Sequence, residues 1–480
     1  MSKIEITDHK DYKYFCHIWQ SIDDILQGIS YIAADKDRLD KYYPAYTGSD
    51  SSHNLRKTYK EYIKFNPAAS ESLDTMIGMV LRVAPRIEGI EGHALEQYIE
   101  TFTGQGLGFS ELVKLVLSEV IPKGRIGLYA DIKDDRPYCF PYTAQNIPNW
   151  VDDHVNLTDR KFVLREDKQI LDDEDPFRIA LKTQCQKRLI GMTKDGFRVE
   201  LFKLIEDEWI RDSEAIEFPN YKGIPFDYLP FVIIGSDYNS FSPSTPPFER
   251  LVNLIIQYNR HDSDMSFSAA MTDCPMIHFK GRWEEIAGSG SVKIGSGHAK
   301  YSEDPQSSIE YVSPPASVNT PQILQRLKDM IASGRNYLTS PRAGIETAEA
   351  IKLRSVGDTA KLTGIVSCVA EGLTQIVRIM ARMTGETKEQ AEELKVILNT
   401  DFVDKKIDMS DVSALGTEVE AGRLSWAVYF DNLKQGEMYP DGWTEDMEEE
   451  AIEKDKEKMP SLVGLKNGFD KTNEKTEISV

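Results

Sequence analysis

The sequence has little of what small secreted or metal-built domains depend on. Its 480 residues hold five cysteines, Cys16, Cys139, Cys185, Cys274 and Cys368, odd in number and far apart. No Cys-x-x-Cys occurs and no Cys/His group has zinc spacing. A disulfide framework is therefore not expected, and a reducing cytoplasm is the natural folding compartment. Positive charge is also short. Against 78 Asp and Glu stand only 57 Lys and Arg, a formal net charge of −21. That sign excludes a protein that grips a phosphate backbone over a broad surface, but not one past which nucleic acid slides. The most membrane-like stretch, 362–379, is interrupted by Glu371 and Arg378. No transmembrane helix and no membrane partner is expected. The first residues lack the charged and apolar regions of a signal peptide.

Catalytic motifs are equally scarce. Gly288-Ser-Gly-Ser-Val-Lys-Ile-Gly-Ser-Gly297 is glycine-rich but lacks the Gly-Lys-Ser/Thr of a P-loop, and no helix follows it. It reads as a hairpin or flexible loop. Gly104-Gln-Gly-Leu-Gly108 precedes a helix without following a convincing strand, and reads as a turn. Neither G-x-S-x-G nor H-E-x-x-H occurs. Adjacent His261 and Asp262 are of the kind that ligates metal in phosphohydrolases, with His154 and Asp264 or Asp273 as the remaining candidates. Nothing in their spacing demands a site, and a solvated or neighbour-facing helix accounts for them. No catalytic residue, metal or cofactor is expected, and the chain is read as a non-enzyme.

What is present is a folded, multidomain composition: 40% hydrophobic, 10% aromatic and 28% charged. Phe109, Leu112, Val113, Val116, Leu117 and Val120 repeat at helical spacing, with Ser110 as N-cap and Pro122 with Gly124 as the stop. Ile126, Leu128, Ala130 and Ile132 then alternate with Arg125, Gly127, Tyr129 and Asp131, predicting a strand buried on one face. Residues 137–235 stay β-rich, with a hairpin at Asp195-Gly196 and a buried strand within 229–234. After Ser242-Pro-Ser-Thr-Pro-Pro247 a helix is expected over 248–271, with Leu251, Leu254, Ile255 and Tyr258 on one side. A small β/loop insertion occupies 273–315. A second helix over about 320–338 carries Ile323, Leu327, Met330 and Ile331 on one face. A third, much longer helix covers 346–384. It contains Gly357, Gly364 and Gly372, which predict a kink or close helix packing. Two helices flanking a small β insertion make an arm too narrow to bury itself, so an oligomer with neighbouring arms side by side is expected. A strand near 396–402, helices near 411–421 and 424–435, and an acidic segment 445–458, a solvated helix or frayed tail, complete the chain.

Basic residues gather at two places. Arg335 and Arg342 flank the breaker between the second and third helices, and Lys280, Arg282, Lys293 and Lys300 decorate the β insertion. Ordinary surface charge and phosphate contact both remain open for each set.

The order of these elements resembles the portal protein of tailed bacteriophages. The resemblance covers roughly 60–450 and is carried by several stretches. One is Gly124-Arg-Ile-Gly-Leu-Tyr-Ala-Asp131 with Arg136-Pro-Tyr138 and Ile147-Pro-Asn-Trp150; another runs from Pro246-Pro-Phe-Glu-Arg-Leu-Val-Asn253 through Cys274-Pro-Met-Ile-His-Phe-Lys-Gly281. Others are Glu346-Thr-Ala-Glu-Ala-Ile-Lys-Leu-Arg354, Asn399-Thr-Asp-Phe402, Gly422-Arg-Leu-Ser425, Leu433-Lys-Gln-Gly436 and the acids after Asp441.

What the resemblance implies is an α+β subunit of a dodecameric ring at the capsid's unique vertex in the virion. The ring passes double-stranded DNA during packaging and ejection. Residues 1–245 would be the wing, 246–271 and 319–338 the stem helices, and 272–318 the clip. The loop 339–347 would face the channel, 348–399 would be the long helix and its return to the wing, and 400–458 the crown. Residues 459–480 match no part of the pattern and would be a disordered tail. Arg335, Arg342 and Lys352 would contact DNA. His278, Lys280, Arg282, Trp283, Lys293 and Lys300 would serve the clip, which docks the large terminase subunit and later the head–tail adaptor. Major capsid and scaffolding proteins would be further partners, and the ring would nucleate the procapsid. Rival readings are another virion or adaptor protein without a DNA channel, and the His-Asp phosphohydrolase.

Overall fold

The computed structural model describes residues 7–44, 58–133, 136–151, 160–169, 183–194, 196–205, 208–217, 220–221, 224–273, 276–280, 306, 308–312, 320–336, 348–402, 409–435, 438–439 and 443–458. The chain divides into two compact units, Met1–Phe402 and Val403–Val480.

The first unit opens with α1 (Lys10–Gln27), α2 (Ile29–Ala34), α3 (Lys36–Tyr42) and α4 (Ala68–Val80), then β1 (Arg86–Glu88) and α5 (Phe109–Lys123). In α5 all six residues of the apolar repeat are buried, as their spacing predicts. Its N-cap is Gly108, not Ser110. The preceding turn accounts for the shift: Thr103 N–H donates to Leu107 O at 2.9 Å, and Leu107 N–H to Thr103 Oγ1 at 2.9 Å. That closed loop delivers the chain to the first helical turn two residues early. Gly124 ends α5 in the left-handed region at φ 75°.

Strands follow in chain order as β2 (Arg125–Lys133), β3 (Arg136–Thr143), β4 (Asn149–Val151), β5 (Lys161–Gln169), β6 (Thr183–Thr193), β7 (Gly196–Ile205), β8 (Glu208–Glu217), β9 (Asn220–Tyr221), β10 (Ile224–Pro225) and β11 (Phe231–Gly235). One antiparallel sheet runs β11-β2-β3 and another β4-β5-β6-β7-β8. The β6–β7 hairpin pairs Thr193 with Gly196, where Asp195-Gly196 predicts it.

β2 departs from the sequence reading, because both of its faces are covered. Ile126, Leu128 and Ala130 are fully buried, yet Arg125 and Tyr129 on the opposite face are also 2% and 1% exposed. As the middle strand, β2 lies under helices on one side and faces the five-stranded sheet on the other. Of the residues that suggested a solvent face, Arg125 stacks on the Trp150 ring and Tyr129 meets a buried network. Glu166 on β5 accepts from Tyr142 OH at 2.5 Å, from Arg188 Nε at 2.7 Å and from the Gln186 amide. Arg188 also lies over the Tyr129 ring, 5.8 Å from its centroid.

The chain continues through α6 (Glu249–Asp273), β12 (Met276–Lys280), β13 (Ser308–Val312), α7 (Thr320–Asn336), α8 (Ala348–Met383), α9 (Lys388–Glu392) and β14 (Lys395–Ile397). β14 pairs with β1, joining Ile87 to Val396 across the length of the unit's sequence. Residues Ala360–Met383 of α8 are long and apolar enough to span a bilayer, but Leu362, Val366, Val369, Leu373, Ile376 and Met380 are fully buried within the protein. Among the glycines of α8, Gly372 marks the close approach: a Cβ there would lie 2.5 Å from Ile234 of β11. At Gly364 nothing lies within 4 Å.

The second unit holds α10 (Met409–Glu420), α11 (Trp426–Gln435) and α12 (Glu445–Lys458). The acidic segment is thus a helix, with Lys454 paired to Glu450 at 3.2 Å one turn away. Residues 459–480 lie outside the described residues.

Two predictions follow from this packing. Gly364→Ala is expected to raise stability by up to about 1 kcal/mol, while Gly372→Ala lowers it by about 1–3 kcal/mol through overpacking against Ile234; paired thermal melts read the opposite signs. Although burial alone would raise the Glu166 pKa, Arg188 and the hydrogen bonds hold it below the usual carboxylate value. Its stabilisation is therefore complete above the unfolded-state pKa and is lost as pH falls through the native one. Glu166→Gln should cost about 3–5 kcal/mol at neutral pH, with the gap to the parent protein closing in acid, read by urea unfolding across pH.

Candidate channel and docking surfaces

The helix α6 begins where Pro246 and Pro247 lie against Gly124. Leu251, Val252, Leu254, Ile255 and Tyr258 bury its first half. Its middle is held by polar contacts to the chain between α3 and α4. Asn66 N–H donates to Asn259 Oδ1 at 2.9 Å, Lys64 N–H to Ser263 Oγ at 2.8 Å, and Tyr59 OH to Asp264 Oδ1 at 2.8 Å. Arg260 donates to the carbonyls of Tyr42 and Lys41 at 2.7 and 2.9 Å, capping the end of α3. The sequence reading missed Asn259, Arg260 and Ser263, and weighed Asp264 only as a candidate metal ligand. Their only signal was a run of polar residues inside a helix whose apolar stripe ends at Tyr258.

The return helix α7 packs on α6 through Leu324, Leu327 and Ile331. The expected apolar face is split. Leu327 and Ile331 are buried, whereas Ile323 and Met330 are 38% and 44% exposed. One helix covers only one stripe, so a second apolar stripe remains open. Lys328 lies over the Tyr258 ring, 5.8 Å from its centroid, and Tyr258 also faces Asp262.

Asp262 is therefore engaged with the α6–α7 pair, and Asp264 with Tyr59. Among the described residues no group of three His, Cys, Asp or Glu side chains could hold a metal ion. His154 lies outside the described residues, and so does the Asp273 side chain. The described geometry gives His261 and Asp262 no convergent partner, so the phosphohydrolase reading gains nothing from it.

The other predicted site residues fall in two groups. His278 and Lys280 sit on β12 and are exposed, with His278 opposite Glu310 and Lys280 opposite Ser308 on β13. Arg335 lies in α7 and Lys352 in α8; their side chains are outside the described residues, as are Arg282, Trp283, Lys293, Lys300 and Arg342. The loop 339–347 and the glycine-rich stretch 288–297 are outside them as well.

Residues 247–384, from the start of α6 to the end of α8, match a family described as a domain of unknown function, DUF4055. No curated protein matches the chain. Among solved structures, the neck of an empty GTA particle computed with C6 symmetry contains a chain that is 12% identical, over 82% of this chain and 95% of that one, with a TM-score of 0.39. The neck of a native GTA particle computed with C12 symmetry contains one that is 10% identical, over 80% and 91%, with a TM-score of 0.34. At these values the likeness carries no functional argument for this chain.

Proposed function

We propose that this protein is a phage portal protein: a structural subunit of a particle's head–tail junction that assembles into a ring around an axial channel for double-stranded DNA. The observation that carries the reading is the run α6, β12–β13 hairpin, α7 and long α8, in the order of stem, clip, stem and wing helix that the sequence resemblance implies. The exposed stripe of Ile323 and Met330 supports it, since a ring would cover that stripe with a neighbouring subunit.

The charge is suited to a conduit. Twelve copies at −21 carry about −250, which repels the duplex from the wall and keeps it mobile. Each neutralised phosphate would add binding free energy through counterion release, so a channel needs few cations. Arg335, Arg342 and Lys352 are proposed as those weak contacts. In this reading the hairpin β12–β13, with His278 and Lys280, is the docking end for the terminase motor and later the adaptor. Capsid and scaffolding proteins would meet the ring elsewhere.

The double variant Ile323→Lys/Met330→Lys tests the reading. It should leave the subunit's melting temperature within a few degrees and shift sedimentation from a ring to smaller species. An unchanged ring would remove the role given to α7. Arg342→Ala should slow DNA packaging or weaken retention; unchanged values of both would make Arg342 ordinary surface.

A further inference from the structure

The first turn of α1 is fixed to the sheets mainly by polar contacts. His9 N–H donates to Pro148 O at 2.9 Å, Asn149 Nδ2 to Thr7 O at 2.5 Å and Tyr12 OH to Gln145 O at 2.9 Å. Asp8 lies 3.6 Å from Lys187 Nζ, and the His9 ring stacks on Trp150 with centroids 4.1 Å apart. His9 also caps the helix: its Nδ1 accepts from Asp11 N–H at 3.2 Å and its carbonyl from Lys13 N–H at 3.1 Å. Of this turn only Tyr12 is buried. Apolar anchoring comes later, where Trp19 and Ile22 are fully buried, Ile25 nearly so, and Trp19 Nε1 donates to Lys123 O at 3.2 Å. α1 therefore has a firm second half and a first turn with few apolar contacts, the kind of element that opens on its own.

Next to that turn lies a group that gains from opening. Arg125, at the start of β2, is 2% exposed, and none of its three guanidinium nitrogens has a hydrogen-bond partner among the described residues. It rests instead on the indole of Trp150, 4.2 Å from the centroid, the same ring that His9 stacks on. An indole face attracts a guanidinium but offers its N–H groups no acceptor oxygen. Asp11, in the first turn, is the carboxylate that bears on it, without making a hydrogen bond. A buried cation left without acceptors is strongly destabilising until water reaches it.

We propose that the first turn of α1 with its N-cap, residues 8–13, is a latch: its polar contacts close it over the sheets, and hydration of Arg125 favours its opening, while the helix from Trp19 onward stays seated. The latch sits beside a junction of the fold. Gly124 O, one residue before Arg125, accepts from Ser236 N–H at 3.1 Å, and Pro122 O accepts from Phe248 N–H at 3.2 Å. Opening thus takes place where β2 is fastened to the root of α6.

Hydrogen–deuterium exchange of the full-length protein at neutral pH tests this, read by mass spectrometry on peptides covering 7–14 and 15–27. In the parent protein the first set should exchange well before the second. Arg125→Met keeps bulk against Trp150 but removes the charge, and should slow exchange in 7–14 roughly tenfold while leaving 15–27 unchanged. Tyr12→Phe removes one closing contact and should speed exchange in 7–14 alone, which reads the latch even if Arg125→Met does not fold. Faster or unchanged exchange of 7–14 in Arg125→Met would overturn the proposal, because the guanidinium would then support the closed turn or have no bearing on it. Equal acceleration across 7–27 in Tyr12→Phe would overturn it too, since α1 would then open as one piece.

Discussion

The first unit is organised by the burial of β2 from both sides. A central antiparallel strand with helices on one face and a second sheet on the other has no place for hydrated side chains. Its small and polar residues are therefore committed. Gly127 admits Phe231 and Ile147, either of which a Cβ would meet within 3 Å. Arg125 stacks on Trp150, 4.2 Å from the ring, and burial pushes its pKa down to about 9. Tyr129 meets Arg188, and through it the Glu166 network. On the helical side α8 closes on β11 at Gly372. The long helix that follows the α6–α7 pair is thereby tied, in its second half, to the same layer that carries the start of α6.

That arrangement gives α6 a firm root and leaves α7 half covered. The first half of α6 is part of the core, and Asn259, Ser263 and Asp264 extend its attachment by hydrogen bonds where apolar contact ends. The backbone N–H groups of Lys64 and Asn66 paired in this way cost little, whereas an unpaired one costs about 1–3 kcal/mol. α7 gains only the stripe of Leu324, Leu327 and Ile331 from α6. In the proposed ring its remaining apolar residues become contacts between copies, so one helix would serve the subunit on one side and the assembly on the other.

Much of this was legible in the sequence. The repeat of Phe109 to Val120, the Asp195-Gly196 hairpin, the buried strand at Phe231 and the three helices after Pro247 follow from periodicity and turn chemistry. What was not legible depends on contacts distant in sequence. Alternation in β2 looks the same whether the second face meets water or another sheet, so the burial of Arg125 and Tyr129 had no local signal. The same holds for Ile323 and Met330, whose exposure is decided by how wide a stripe α6 can cover. Gly372 was legible as an anomaly in a helix, but its partner Ile234 was not. For the candidate site, Arg335, Arg342 and Lys352 rest on the order of elements, and His278 and Lys280 are placed by the hairpin without a contact that marks them.

The central claim is the ring, and the native mass of the purified protein, taken with negative-stain images of the same sample, tests it most directly. A closed ring of about twelve subunits with an axial hole is expected, in line with the cyclic symmetry that head-to-tail interfaces generate. A compact dimer that persists at high protein concentration, with no ring in the images, would contradict it.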